Sequence, residues 1–189
     1  MNGGENNFIL NIIISRAKIE DRELINDFFK MVLIDTFHKN EISDLVDTLK
    51  DEIKDKRRCL DQDYESAGRD RCFLIAKDKN LVVGSAEYGP PNNLILSCTN
   101  GDLKDIKEIG TVFIHPDYQR KGIGSRMLFS ILSQMKRDGI EEFCLDSGYK
   151  IAQRIWTKKL GNPQYHLKNY WGKDADHMIW RKKINEILQ

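Results

Sequence analysis

The stretch from Glu108 to Ser125 constrains the chain most, because an apolar strand there passes through a proline turn directly into a glycine-bearing helix entry. Thr111-Val112-Phe113-Ile114 is β-branched and aromatic, a composition that suits a pleated, half-buried surface. His115-Pro116-Asp117 stops it, since proline has no N–H to give to a sheet ladder. Gly122 and Gly124 then let the main chain approach a ligand closely where a helix begins, its apolar face formed by Ile123, Met127, Leu128, Ile131, Leu132 and Met135. The first turn of such a helix has N–H groups without intrahelical partners and the positive end of the dipole, so it suits a phosphate.

The glycine spacing separates the classes of phosphate binder. A dinucleotide fingerprint continues Gly-x-Gly-x-x-Gly, but position 127 is Met, and the Gly-x-x-x-x-Gly-Lys-Ser/Thr of a nucleoside-triphosphate loop is absent. What stands here is Gln119-Arg120-Lys121-Gly122-Ile123-Gly124 after a strand ending Val-Phe-Ile-His-Pro. It resembles the Gln/Arg-x-x-Gly-x-Gly/Ala acyl-CoA signature of the GNAT N-acetyltransferase superfamily. The resemblance implies acetyl-CoA as the acyl-donor substrate and no metal. Gln119, Arg120, Lys121, Gly122, Ile123, Gly124 and Ser125 would form the pyrophosphate turn, held mostly by main-chain amides. Val112, Phe113 and Ile114 would run beside the pantetheine arm, one of their N–H groups polarising the acetyl carbonyl. The implied reaction is direct transfer to a primary amine, on a small molecule or a peptide, in a ternary complex without a covalent enzyme intermediate.

A lysine-like amine of pKa about 10.4 is only about one part in two thousand neutral at pH 7, so this chemistry asks for a base or a low-dielectric site. Glu108 lies eleven residues before Gln119 at the start of the strand, and some superfamily members have a catalytic glutamate at that spacing. The resemblance thus makes it the candidate base; otherwise it is a solvent-facing residue at a strand end. Asp102 and Asp105 in the preceding loop are the alternatives. The chain departs from the family at Asn-x-x-Ala-x-x-x-Tyr, whose tyrosine protonates the departing thiolate. Here the span is Tyr149-Lys-Ile-Ala152-Gln-Arg-Ile-Trp156, and an indole is no general acid. Tyr149, Tyr165, Tyr170 or water is left for that step. The mismatch also sustains a second reading, a non-catalytic acyl-CoA-binding or regulatory module on the same fold.

Around this stretch the chain reads as α/β: one domain over residues 8–189, a mixed and mostly antiparallel sheet flanked by helices, matching GNAT order. Phe8 to Ser15 reads as a strand, and residues 1–7 as a disordered N-terminus. Ile25, Phe28, Phe29, Val32, Leu33 and Phe37 make a helix face with Asp21 as its cap, and Ile42, Leu45, Val46, Leu49 and Ile53 a second, packed in the core. By resemblance, Phe37 to Ser43 walls the acceptor side. Residues 54–71 are dense in charge and carry little signal, with Lys54 to Leu60 read as an extension of the second helix. Cys72–Ala76 and Leu81–Glu87 form a hairpin, Leu94–Cys98 a short extended piece, Phe143–Leu145 a buried strand, Ala152–Lys159 a helix, and Gln164–Leu167 and His177–Lys182 late strands.

Thirty basic and 29 acidic residues give a net charge of +1, which provides no electrostatic reason to expect a nucleic-acid or membrane partner. The four cysteines are widely spaced, without Cys-x-x-Cys and without a histidine at ligand spacing. Reduced thiols are expected, Cys144 as an inert one, and His115, His166 and His177 carry no ligand pattern. The apolar run after Asn7 lacks a basic flank, and none approaches the ~20 residues that span a bilayer. The expectation is a soluble, cytoplasmic protein, with a homodimer left open.

Overall fold

The computed structural model describes residues 11–188. Strand β1 (Ile12–Arg16) leads through a short turn into helices α1 (Arg22–Lys39) and α2 (Val46–Ser66). The hairpin β2 (Cys72–Asp78) and β3 (Leu81–Gly89), helix α3 (Asn93–Cys98), strand β4 (Lys107–Ile114), helix α4 (Ile123–Arg137), strand β5 (Glu142–Ser147) and helix α5 (Lys150–Leu160) follow. Strands β6 (Tyr165–Leu167) and β7 (His177–Lys183) and the short α6 (Ile184–Ile187) close the order. The sheet runs β1-β2-β3-β4-β5-β7-β6, and every neighbouring pair is antiparallel except β4 and β5.

Alternation along β2 shows why helices cover both faces. Cys72, Leu74 and Ala76 join the cluster that α4 fills with Ile123, Met127, Leu128, Ile131, Leu132 and Met135. Phe73 and Ile75 point the other way, to Ile25, Phe28, Phe29 and Val32 of α1. Burial of each large apolar side chain among them stabilises the fold by about 2 kcal/mol. The α1 face is as its spacing predicts. Asp21 precedes α1, but its carboxylate pairs with Lys77 rather than capping the helix.

Three expectations are corrected. The first strand, expected over Phe8–Ser15, is seen over Ile12–Arg16; the expected residues before 11, with the expected disordered N-terminus 1–7, lie outside the described residues. The second helix starts at Val46 and runs to Ser66, through the charge-dense segment; Leu45 and Val46 are exposed, and its buried residues are Leu60, Asp63 and Ser66. It is the far end of α2 that leans on β2, where Asp63 accepts hydrogen bonds from Phe73 N at 3.1 Å and from Arg16. Leu94–Cys98 lies within a helix, because Asn92 Oδ1 accepts from Ile95 N at 2.8 Å and so caps α3. Among the described residues no helix is long and apolar enough to cross a membrane, and all four cysteines are free.

Candidate functional site

Strands β4 and β5 pair only at Lys107 with Phe143 and Glu108 with Cys144. Beyond that point β4 keeps β3 as its partner and β5 keeps β7, so the two strands part. Ile109–Ile114 on one side and Leu145–Ser147 on the other each face the gap with an edge that no strand covers. Glu108 stands at its closed end.

The open edge is deformed in a specific way. Phe113 is opposite Ser85 and Gly110 opposite Glu87, so Thr111 and Val112 together oppose Ala86 in a β-bulge. Thr111 has φ +50°, a conformation that a β-branched residue rarely adopts. Buried side chains of β3 hold it there: Ser85 Oγ donates to Thr111 O at 2.7 Å, and Thr111 Oγ1 donates to Glu87 Oε1 at 3.1 Å. The bulge lifts Thr111 and Val112 out of the β3 ladder beside the gap. The main chain of Val112, Phe113 and Ile114, half-buried, lies along it.

At the far end of β4 the proline turn leads to α4. Arg120 and Gly122 both have positive φ, +60° and +79°, which folds successive N–H groups into a concave nest. Gly122 sits at the N-cap without a side chain to cap, and a Cβ there would meet nothing within 4 Å. Ser125 N and Arg126 N are satisfied by Gly122 O, whereas the N–H groups of Ile123 and Gly124 have no partner among the described residues. Gln119 ties the turn to the strand, donating from Nε2 to Ile114 O at 3.3 Å, while Lys39 Nζ donates to its Oε1 at 3.1 Å. Lys159 of α5, which sequence reasoning missed, donates to Ser125 Oγ at 2.7 Å and adds a cation. Arg120, Lys121 and Ser125 are exposed beside it. The nest suits a phosphate group by donors, room and charge.

Glu108 is buried rather than a solvent-facing strand end. Asn92 N donates to its Oε2 at 2.6 Å and Asn92 Nδ2 to its Oε1 at 3.0 Å. Burial, then the nearby Asp146 and Glu87 carboxylates, push Glu108 up to about 8, against the opposing pull of Lys56 and the Asn92 N–H. Glu87, Glu108 and Asp146 come from three neighbouring strands and share the sheet face opposite α4. Glu87 is neutralised by a buried ion pair with Arg71. From α2, Lys56 faces this group; burial would lower its ammonium, but Glu87, Glu108, Cys59 and Glu52 together outweigh that and raise it. Glu52, one turn before, accepts a hydrogen bond from Tyr149 OH, and Phe37 packs on the Tyr149 ring with centroids 6.1 Å apart. That brings the end of α1 to the site. Asp102 and Asp105 stay exposed in the loop before β4 and take no part.

The remaining candidates sort by partner. Trp156 is half-buried against the main core. Tyr149 is held protonated by burial and by Glu52, far above an ordinary phenol, and Tyr165 packs beside Ile179. Burial pushes the Cys144 thiol up to about 12, in keeping with an inert residue. His177 is the histidine whose surroundings go beyond the expectation: it is buried, with Nε2 3.1 Å from Asp146 Oδ2. Among the described residues no group of three or more His, Cys, Asp or Glu is arranged to hold a metal ion. Asn92, Asp146 and Lys56 escape sequence reasoning, and His177 reads there only as a histidine without a ligand pattern; Asn92 alone, as a cap residue after Pro90-Pro91, leaves a local signal.

The same fold recurs in solved structures. PaiA N-acetyltransferase from Thermoplasma acidophilum, in complex with coenzyme A, superposes with a TM-score of 0.66 at 18% identity, over 91% of this chain and 98% of that one. YncA from Salmonella typhimurium, with its cofactor acetyl-CoA, gives 0.65 at 16% identity over 93% and 95%. A ribosomal-protein-alanine N-acetyltransferase from Brucella melitensis gives 0.65 at 17% identity over 90% and 99%. None of the curated proteins matches the chain. Residues 36–161, which run from the end of α1 to the end of α5 and contain the split strands and the nest, match the Acetyltransferase (GNAT) family, and the chain belongs to that family.

Proposed function

We propose that the protein transfers an acetyl group from acetyl-CoA to a primary amine, by direct transfer in a ternary complex, with Glu108 as general base. The observation that carries this reading is the buried Glu108 at the closed end of the β4–β5 gap, with its carboxyl raised to about 8. A carboxylate of that basicity takes a proton from an ammonium far more readily than one near 4.5.

Acetyl-CoA fits what this chain offers, and PaiA and YncA carry coenzyme A and acetyl-CoA in their structures. The nest at Gln119–Ser125 has room and unpartnered donors for the pyrophosphate, and Lys159 stands by for its charge. Val112, Phe113 and Ile114 line the open edge, where one main-chain N–H polarises the acetyl carbonyl. The thioester supplies the acetyl group and a thiolate whose pKa of about 8.5 makes it a fair leaving group without a strong acid. Glu108 accepts the ammonium proton on the side of Oε1 and Oε2 that Asn92 leaves open, and the neutral amine then attacks the carbonyl. Glu52, Lys56, Phe37 and Tyr149 wall the acceptor side. The acceptor amine is carried by a small molecule or a peptide.

One observation favours the second reading, a non-catalytic acyl-CoA-binding module: Trp156 occupies the position of the expected tyrosine and packs into the core. Coenzyme A release measured over a panel of diamines, aminoglycosides and peptide α-amines separates the two. Release with at least one amine is the expected result. Tight acetyl-CoA binding with no release on any amine favours the module.

A further inference from the structure

Four residues from four separate segments are joined behind Glu108 by hydrogen bonds that leave little freedom. Trp171 Nε1 can only donate, and it lies 3.3 Å from His177 Nδ1, which therefore accepts. The proton of the imidazole is thus on Nε2, and it goes to Asp146 Oδ2 at 3.1 Å. Asp146 Oδ2 also receives Asn92 Nδ2 at 3.3 Å, and the other hydrogen of the same amide goes to Glu108 Oε1 at 3.0 Å. Asn92 Oδ1 is committed to Ile95 N, so the amide cannot flip without losing three bonds. The chain begins at the surface: Trp171 is 56% exposed, yet His177 is 2% exposed. Gly148 admits the indole, since a Cβ there would lie 2.8 Å from Trp171 Nε1.

We propose that Asp146, held by His177, is a positioning residue for Glu108 in acetyl transfer. Asp146 fixes the Asn92 amide that orients the Glu108 carboxylate, and its charge favours the proton-accepting task of Glu108. His177 fixes Asp146, and Trp171 selects the tautomer that can do so. Other groups face Glu108 as well: Glu87 of β3 with Arg71, Lys56 and Cys59 of α2, Cys144 of β5, and the main-chain N–H of Asn92 before α3. Arg71 already neutralises Glu87, and Lys56 works in the opposite sense. Asp146 is therefore the charge whose removal changes Glu108 most.

The inference rests on the base assignment made above, so the test uses one readout that needs no acceptor. The Glu108 side-chain carboxyl is titrated by 13C NMR in the full chain, its signal assigned by its loss in Glu108→Gln. Asp146→Asn, a nearly isosteric change, is expected to lower the Glu108 midpoint by about one pH unit or more, a tenfold fall in proton affinity. An unmoved midpoint in a folded variant overturns the proposal. With an accepted amine, His177→Phe is expected to lower kcat about tenfold at unchanged KM for acetyl-CoA, and His177→Gln, which keeps an N–H donor, to recover most of it. Wild-type kcat in His177→Phe, or no recovery in a folded His177→Gln, removes His177 from the proposal. If Glu108→Gln itself turns over normally, it is the base assignment that falls. If Glu108→Gln is inactive while Asp146→Asn keeps the wild-type midpoint, this inference alone falls.

Discussion

Glu87 of β3 and Gly110 of β4 stand opposite each other in register, and a Cβ at position 110 would lie 2.8 Å from Glu87 Oε1. The carboxylate cannot simply swing aside, because Arg71 and Thr111 hold it and it is buried. Gly110→Ala should therefore either displace Glu87 or strain the pairing next to the bulge. A loss of about 1–3 kcal/mol is expected, the usual scale of overpacking, read from the urea midpoint at unchanged slope. A variant within about 0.5 kcal/mol of wild type would mean that the glycine is not there to admit Glu87.

At Gly124 the crowding argument points the other way. A Cβ there would meet Ile114 Cγ1 at 3.7 Å, an ordinary contact, so the folded chain tolerates a side chain at this position. Gly124→Glu places a negative charge beside the first-turn N–H groups that are to receive the pyrophosphate. The expected outcome is an unchanged melting temperature and loss of acetyl-CoA binding by calorimetry. Wild-type affinity in the folded variant would remove the nest from the donor site.

Stability should carry the signature of Glu108 across a defined pH window. Its carboxyl is near 4.5 in the unfolded chain and about 8 in the folded one, so between these values the folded protein holds a proton that the unfolded chain has released. Stability then falls as pH rises from about 4.5 to about 8 and levels off above, a change on the order of a few kcal/mol. Glu108→Gln has no such proton to lose, and its melting temperature should fall less steeply over that window. Parallel curves for the two proteins would show that Glu108 titrates normally.

The local signals were legible and the long-range ones were not. The β-branched run before Pro116, and Gly122 and Gly124 after it, mark β4 and the nest, because proline and glycine act on the chain where they stand. The α1 face from Ile25 to Phe37 is equally plain, since all six residues are buried. Leu94–Cys98 reads as extended from sequence because so short an apolar run suits strand or helix alike, and the deciding contact is the Asn92 cap. Beyond Leu60, α2 is mostly charged and only Asp63 and Ser66 are buried, both polar, so no apolar periodicity marks its end. Glu108 could be singled out by its distance from Gln119, but its burial could not. That depends on Asn92, Asp146 and His177, which only the parallel β4–β5 pair and the β5–β7 pair bring together.

The most direct measurement is kcat/KM against pH for wild type and Glu108→Gln with one accepted amine, alongside acetyl-CoA affinity for both. Since Glu108 acts in its ionised form, wild-type activity should rise with pH to a limb centred near the about 8 of its carboxyl. Glu108→Gln should bind acetyl-CoA as the wild type does, lose that limb, and fall in turnover by about a hundredfold or more. The deficit should narrow as pH approaches the pKa of the acceptor, where solvent supplies the neutral amine unaided. A Glu108→Gln variant within a few-fold of wild type at every pH would contradict the assignment of Glu108 as the base.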